Sequence, residues 1–310
     1  MPGSAGSPKE RSHKFSATQA PLLDRQFLEK LERLTIHWQR SFPGLVGGHN
    51  VSRFAGGGQE FLDHRHFHHG DDLRAVNWRA YLRLDKLFLK MFQIEPRVPV
   101  RLLVDTSGSM AAANGNKFDY ARKLAAALCY VGLVRLDTIS IHPFSTHLGE
   151  GKQCGGGRHR FSPVMNYLGA LESEGPTDFM AVSREFISNF AQRGLLIVIS
   201  DFLDDALCEK PIQFLSDFGH ELCLIQLWAE EDRVPPWTGE LDLVDGETGH
   251  ELRLQVDEAA QIRYTEAFDR FSASLQDLAQ RNGGRYVGVS TSMAIEDIVF
   301  GALVRARSLA

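Results

Sequence analysis

Five short apolar runs, VRLLVD (100–105), DTISIHPFS (137–145), LLIVISD (195–201), HELCLIQLWA (220–229) and RYVGVST (285–291), punctuate the C-terminal two thirds of the chain. The continuous ones, VRLLVD and LLIVISD, describe strands covered on both faces, which is the habit of parallel sheets. Between them lie segments with helical spacing. KFDYARKLAAALCYVGLVRL (117–136) carries Ala and Leu around much of its circumference, as expected of a helix packed on a sheet, and further helices are expected near 161–171 and 179–192. Strands alternating with helices imply a mostly parallel sheet sandwiched between helical layers, so the expected fold is α/β, a three-layer sandwich of Rossmann type. LDLVD and HELRLQVD, separated by GETG, read as a β-hairpin inserted near 241–257.

Upstream of this region the pattern changes. Residues 1–20 are rich in Ser, Gly, Pro and Lys without periodicity and predict a disordered tail. From Pro21, the apolar positions Leu23, Phe27, Leu31, Leu34 and Trp38 recur at three- and four-residue steps, predicting one amphipathic helix that ends near Phe42-Pro43-Gly44. Residues 44–99 contain three consecutive glycines (Gly56, Gly57, Gly58), a dense polar run and a more apolar strand, Leu87 to Ile94, and predict a small loop-rich subdomain. The expected organisation is therefore a tail (1–20), a helix with a small irregular or β subdomain (21–98), and an α/β domain (99–310).

Composition removes several function classes. The 310 residues carry 34 Lys or Arg against 39 Asp or Glu, a net charge of −5, so the chain as a whole lacks the basic footprint of a nucleic-acid binder. Between Val51 and Arg101 the balance is locally positive, nine Lys or Arg against six Asp or Glu. The start lacks the apolar core, about 7 to 15 residues, of a signal peptide, and no window approaches about 18 consecutive apolar residues; with no membrane span expected, the chain reads as cytoplasmic. The four cysteines, Cys129, Cys154, Cys208 and Cys223, form no CxxC pair and support neither a disulfide framework nor a zinc ribbon.

In an open α/β sheet, functional groups gather beyond the carboxyl ends of the strands, where strand order reverses. Two of the predicted strands end in Asp. The first runs into Asp105-Thr106-Ser107-Gly108-Ser109-Met110, the third into Ser200-Asp201-Phe202, and the turn Gly175-Pro176-Thr177-Asp178 precedes a helix. Together they offer two hydroxyls from one tight loop, a third hydroxyl and two carboxylates. That hard, all-oxygen set suits Mg2+ or Mn2+ with retained waters and a vacant position. Asp105 and Ser107 could instead cap the helix that follows, but a cap accounts for neither Thr177 nor Asp201. Hydrolase signatures are missing: there is no GxSxG, HExxH or phosphate loop, and Asp105-Thr106-Ser107-Gly108 is one residue too long for an aspartic-protease motif.

Asp105-x-Ser107-x-Ser109 with Thr177 and Asp201 resembles the metal-ion-dependent adhesion site of von Willebrand factor A domains. The resemblance implies that Ser107 and Ser109 coordinate directly, Thr177 directly or through water, and Asp105 and Asp201 mostly through water, leaving a position for a partner's carboxylate. The upstream residues Gly58-Gln59-Glu60-Phe61, Arg65-His66-Phe67, Gly70-Asp71-Asp72-Leu73-Arg74 and Asn77-Trp78-Arg79, followed by VDTSGSM, are similar to the bacterial family called domain of unknown function 58, with Phe67 and Asn77 where that family usually has Tyr and Asp. Its members are commonly encoded beside MoxR-type AAA+ ATPases, so the resemblance implies a non-enzymatic adaptor acting with such an ATPase on a client protein complex. A hydrolase that uses the same ion to activate water is the alternative.

Read from the residues alone, Glu60, Arg65, Asp71, Asp72, Arg74, Trp78 and Arg79 form either a structural polar network that ties the subdomain to the sheet or a partner-binding face, and the network is the simpler expectation. His64, His66 and His68 would share one side of a strand, with His69 next to them, but no second ligand pair completes a zinc site. Gly155 to Gly157 with Arg158 and Arg160 could cradle an anion, yet lack the trailing Lys-Ser/Thr of a phosphate loop; a mobile edge insertion is the simpler reading.

Overall fold

The computed structural model describes residues 23–37, 53–55, 60–69, 71, 73–93, 98–111, 116–135, 137–203, 208–244 and 251–309. The expected tail at 1–20, Trp38, the three glycines at 56–58, Asp72 and the GETG turn lie outside them. In chain order the elements are α1 (Arg25–Leu31), β1 (Arg53–Ala55), β2 (Glu60–His66), α2 (Trp78–Leu84), β3 (Phe88–Gln93), β4 (Val100–Asp105), α3 (Gly108–Ala111), α4 (Asn116–Arg135), β5 (Ile139–Phe144) and β6 (Lys152–Cys154). They continue with α5 (Phe161–Gly169), α6 (Phe179–Asn189), β7 (Leu195–Ser200), α7 (Glu209–Asp217), β8 (Glu221–Trp228), α8 (Glu230–Arg233), β9 (Gly239–Val244), β10 (Glu251–Val256), α9 (Glu258–Arg281) and β11 (Arg285–Ser290).

A six-stranded sheet in the order β11-β8-β7-β4-β5-β6 organises the α/β region, every pair parallel except β5 with β6. The Val, Ile and Leu runs of β4, β5 and β7 are buried along their whole length because helices cover both faces. Residues alternate between two cores. Val100, Leu102 and Val104 of β4 face the cluster built with α1, α4 and α5, whereas Leu103 joins Phe179 and Phe186 of α6, Ile212 and Leu215 of α7 and Leu275 of α9. The fold is thus the expected Rossmann-like α/β sandwich with a mostly parallel sheet. After β4 the chain builds β5 and β6 on one side, then returns to place β7 on the other, so strand order reverses at β4.

Three expectations are corrected. The N-terminal helix spans only Arg25–Leu31; it is capped by Asp24, whose side chain accepts from the Phe27 amide at 2.7 Å, and the chain leaves helical geometry after Glu32. Leu34 and Ile36 are buried beyond the helix end, where Ile36 makes an antiparallel bridge to Leu309. Phe27, Leu31 and Ile36 belong to the core that α4 organises, so this segment is part of the large domain and not of the small subdomain. The Gly-rich stretch after β5 is not a loose insertion: it forms edge strand β6 and a 3-10 turn at Arg158–Arg160, where Arg158 pairs with Glu32 at 3.1 Å.

The small subdomain is a three-stranded antiparallel sheet, β1-β3-β2, with α2 beside it. The β9–β10 hairpin forms as expected, pairing Leu243 with Leu252 and Leu241 with Leu254. Among the described residues no helix is long and apolar enough to cross a membrane.

Candidate functional site

The carboxyl ends of β4 and β7 carry the site. Asp105 closes β4 with its side chain buried, and a tight turn follows in which the Ser107 amide donates to Asp105 Oδ1 at 2.9 Å. Thr106 anchors that turn to the next strand, its amide and its hydroxyl both donating to the Phe144 carbonyl at 2.8 and 2.9 Å. The turn holds the Ser107 and Ser109 hydroxyls 3.0 Å apart as α3 begins.

A second loop is sewn to this turn. The Gly108 amide donates to the Gly175 carbonyl at 2.7 Å, the Glu174 amide to the Thr106 carbonyl at 2.9 Å, and the Ser173 hydroxyl to the Ser107 carbonyl. Thr177 lies on this loop, just before Asp178 caps α6 by accepting from the Ala181 amide at 2.8 Å. Its hydroxyl oxygen is buried and has no hydrogen-bond partner. A buried oxygen left in that condition costs free energy, and a bound cation or water is one way to satisfy it.

The end of β7 completes the arrangement. The Ser200 hydroxyl donates to Asp105 Oδ2 at 2.5 Å and accepts from the Phe202 amide at 2.8 Å. Phe202 sits at φ 59°, a left-handed conformation that a bulky side chain adopts at a cost, and is buried against the Phe179 ring. Asp201 accepts from the Leu203 amide at Oδ1 (3.2 Å) and from Lys117 at Oδ2 (2.8 Å). Lys117, 1% exposed on the first turn of α4, also reaches Asp232 Oδ2 at 3.0 Å.

Burial, and then the neighbouring Asp201 charge, push the Asp105 carboxyl up to about 7, against the hydrogen bonds from Ser200 and Ser107 that favour its ionised form. Burial pulls the Lys117 ammonium down, but Asp201 and Asp232 outweigh it and hold it above the ordinary lysine range. Two carboxylates, Asp201 and Asp232, thus share one ammonium and leave a surplus of negative charge beside Asp105. That surplus, the paired Ser107 and Ser109 hydroxyls and the orphaned Thr177 hydroxyl together fit a hard divalent cation. Among the described residues no cluster of three or more His, Cys, Asp or Glu is placed to hold a metal, so an ion here would rest on hydroxyl oxygens as much as on carboxylates.

The residues singled out by sequence therefore meet in one place in four cases, Asp105, Ser107, Ser109 and Asp201, with Thr177 on the loop bonded to them. Sequence reasoning missed Ser200, Lys117 and Asp232. Ser200 adjoins Asp201 in the same strand end; the signal for Lys117 is a charged residue opening an otherwise buried helix; Asp232 sits in an ordinary acidic run.

Part of the upstream polar set lies at the surface of the small subdomain. Arg65 pairs with Asp71 at 2.8 Å inside the subdomain, and Asp71 Oδ2 also accepts from the His68 amide at 2.7 Å; Arg65 and then His68 hold its carboxyl below the usual carboxylate range. Arg74, Trp78 and Arg79 are exposed, Trp78 by 55%. Glu60 lies on β2, its side chain outside the described residues, as is Asp72. The histidines do not converge on a metal either: β2 ends at His66, His64 Nε2 is 2.6 Å from Asn77 Nδ2, His66 packs on the Phe88 ring at 4.6 Å and His68 Nδ1 is 2.9 Å from the Arg65 guanidinium. All four cysteines are buried and none is in a disulfide.

Comparison with known proteins places the chain among relatives without assigned roles. Over 263 residues it is 22% identical to an uncharacterized protein of Mycobacterium bovis, with 82% of each chain covered, and to the same extent to an uncharacterized protein of Mycobacterium tuberculosis. Among solved structures, it is similar to the conserved hypothetical protein BatB from Bacteroides thetaiotaomicron, 16% identical with a TM-score of 0.41, covering 68% of this chain and 98% of that one. An aerotolerance-related membrane protein from Bacteroides fragilis gives 16% identity and a TM-score of 0.41, covering 67% and 99%. The sequence profile of the family described as Protein of unknown function DUF58 matches residues 63–274, more than half of the chain, and the chain belongs to that family.

Proposed function

We propose that this protein is a non-enzymatic interaction module in which Ser107, Ser109 and Thr177, with Asp105 and Asp201, hold Mg2+ or Mn2+ at the reversal point of the sheet. The reading is that of a von Willebrand factor A-like domain with a metal-ion-dependent adhesion site. The ion, when bound, supplies a Lewis-acidic position for an oxygen of a partner's carboxylate; the chain's own residues supply the cradle. The observation that carries the reading is the Thr177 hydroxyl, buried and without a partner on a loop bonded directly to the Ser107 turn. Helix capping gives that hydroxyl nothing to do. The partners proposed are a MoxR-type AAA+ ATPase and a client protein complex in the cytoplasm, a proposal that rests on the family resemblance of the upstream motifs.

A hydrolase reading has one foothold, since a carboxyl held at about 7 has the acidity of a general base. Asp105 is however buried and held by the Ser107 amide and the Ser200 hydroxyl, and the sequence carries no hydrolase signature beside it. The interaction reading is therefore preferred. Affinity isolation of tagged wild type and Asp105→Ala, each in Mg2+ and in EDTA, tests it. Partners retained only by wild type in Mg2+ support it, and identical protein lists in all four samples overturn it.

A further inference from the structure

The ammonium of Lys117 is the one feature of the site that neither the sequence motif nor the proposed ion explains. It is 1% exposed, 2.8 Å from Asp201 Oδ2 and 3.0 Å from Asp232 Oδ2. Its location is costly twice over. A lysine is almost never fully buried unless paired, and the first turn of a twenty-residue helix is the end whose dipole disfavours a cation. A methionine would fill the same space at neither cost.

We infer that Lys117 is a tethered cation built into the candidate site, a positioning residue that occupies one oxygen of Asp201 and thereby sets how weakly a divalent ion is held there. The inference rests on the reading of Asp105, Ser107, Ser109, Thr177 and Asp201 as a cation site. Asp201 Oδ2 faces Lys117 and Oδ1 accepts from the Leu203 amide, so any ion sharing this carboxylate competes with a positive charge that cannot diffuse away. Asp232 sets the strength of that competition, because it draws the same ammonium from the other side. Its Oδ2 also accepts from the Ala229 amide at 2.9 Å, which fixes the carboxylate at the start of α8. The protein thus carries its own counter-ion to Asp201.

Isothermal titration of the full chain with Mg2+ and with Mn2+ alone, comparing wild type, Lys117→Met, Asp232→Asn and Asp105→Ala, tests this, with thermal melts in EDTA and in Mn2+ as a second readout. Lys117→Met leaves two carboxylates uncompensated and is expected to bind either ion at least tenfold more tightly than wild type, with a melting temperature that rises on adding Mn2+ by more than that of wild type. Asp232→Asn leaves the ammonium to Asp201 alone and is expected to bind several-fold more weakly. Equal or weaker binding by folded Lys117→Met overturns the inference. If that variant does not fold, unchanged or tighter binding by Asp232→Asn overturns it in its place. Binding by wild type that Asp105→Ala abolishes and Lys117→Met leaves unchanged defeats this inference alone. Absence of binding heat in wild type and Lys117→Met alike defeats the cation site and this inference with it.

Discussion

The Ser200 hydroxyl donates to Asp105 Oδ2 at 2.5 Å, joining the carboxyl ends of two adjacent parallel strands through side chains where the backbone ladder stops. The same oxygen accepts from the Phe202 amide, so one serine both steadies a buried carboxyl and holds the next residues in their left-handed turn. Ser200→Ala is expected to cost about 1–3 kcal/mol, the usual effect of leaving a buried acceptor with one donor fewer. Urea denaturation measures it, and an unchanged midpoint contradicts the role.

Phe27 is expected to behave as a core residue of the large domain. It is buried, meets Phe300 edge-on at 6.1 Å and shares a cluster with α4. Phe27→Ala should lower global stability by about 3–5 kcal/mol in a single cooperative transition. A loss confined to a minor early transition would mean that the segment is a satellite of the sheet.

Arg285 ties the segment after α1 to the stretch around Arg307. Its guanidinium pairs with the buried Glu221 at 2.5 Å and donates to the carbonyls of His37 and Arg307. Removing one partner of such a pair leaves an uncompensated buried charge, so Arg285→Ala should destabilise by about 3–5 kcal/mol in chemical denaturation. A loss below the measurement error contradicts this.

The large sheet and its hairpin were legible in the sequence because the burial that shapes them is local: a strand covered on both faces is a continuous apolar run, as in 195–200, and a hairpin shows its two alternating arms. What the sequence concealed is set by partners far along the chain. Leu34 extends a helical spacing, yet the chain has left the helix after Glu32, and two residues on Ile36 bridges Leu309. Strand β6 has only Lys152, Gln153 and Cys154 to announce it, because an edge position asks for little apolar surface. The candidate site divides the same way. The Asp105–Ser109 turn is made of neighbours and could be read directly. Lys117 meets Asp201 across 84 residues, and nothing near either residue in sequence announces the other.

His142 makes the fold sensitive to acid. Burial, and then the Arg101 charge, push its imidazole down to about 4, with Nε2 2.9 Å from the Ser140 hydroxyl and the ring packed 4.6 Å from Phe190. The unfolded chain therefore binds a proton at this site before the folded one does. Its contribution to stability is complete above the ordinary histidine range near pH 6.5 and is lost as pH falls toward 4, by an amount on the order of 2 kcal/mol. Urea midpoints between pH 4 and 7 should fall on the acid side, and His142→Gln should flatten that limb. An equal slope in both proteins assigns the acid sensitivity elsewhere.

Direct binding of Mn2+ is the most immediate test of the central claim. Electron paramagnetic resonance counts the free ion as it is titrated into wild type, Asp105→Ala and Ser107→Ala, all shown to be folded by circular dichroism. One Mn2+ bound per wild-type chain, displaced by Mg2+ and lost in both variants, is the predicted result. Equal binding by all three proteins, or none by wild type, contradicts a cation site at the end of the sheet.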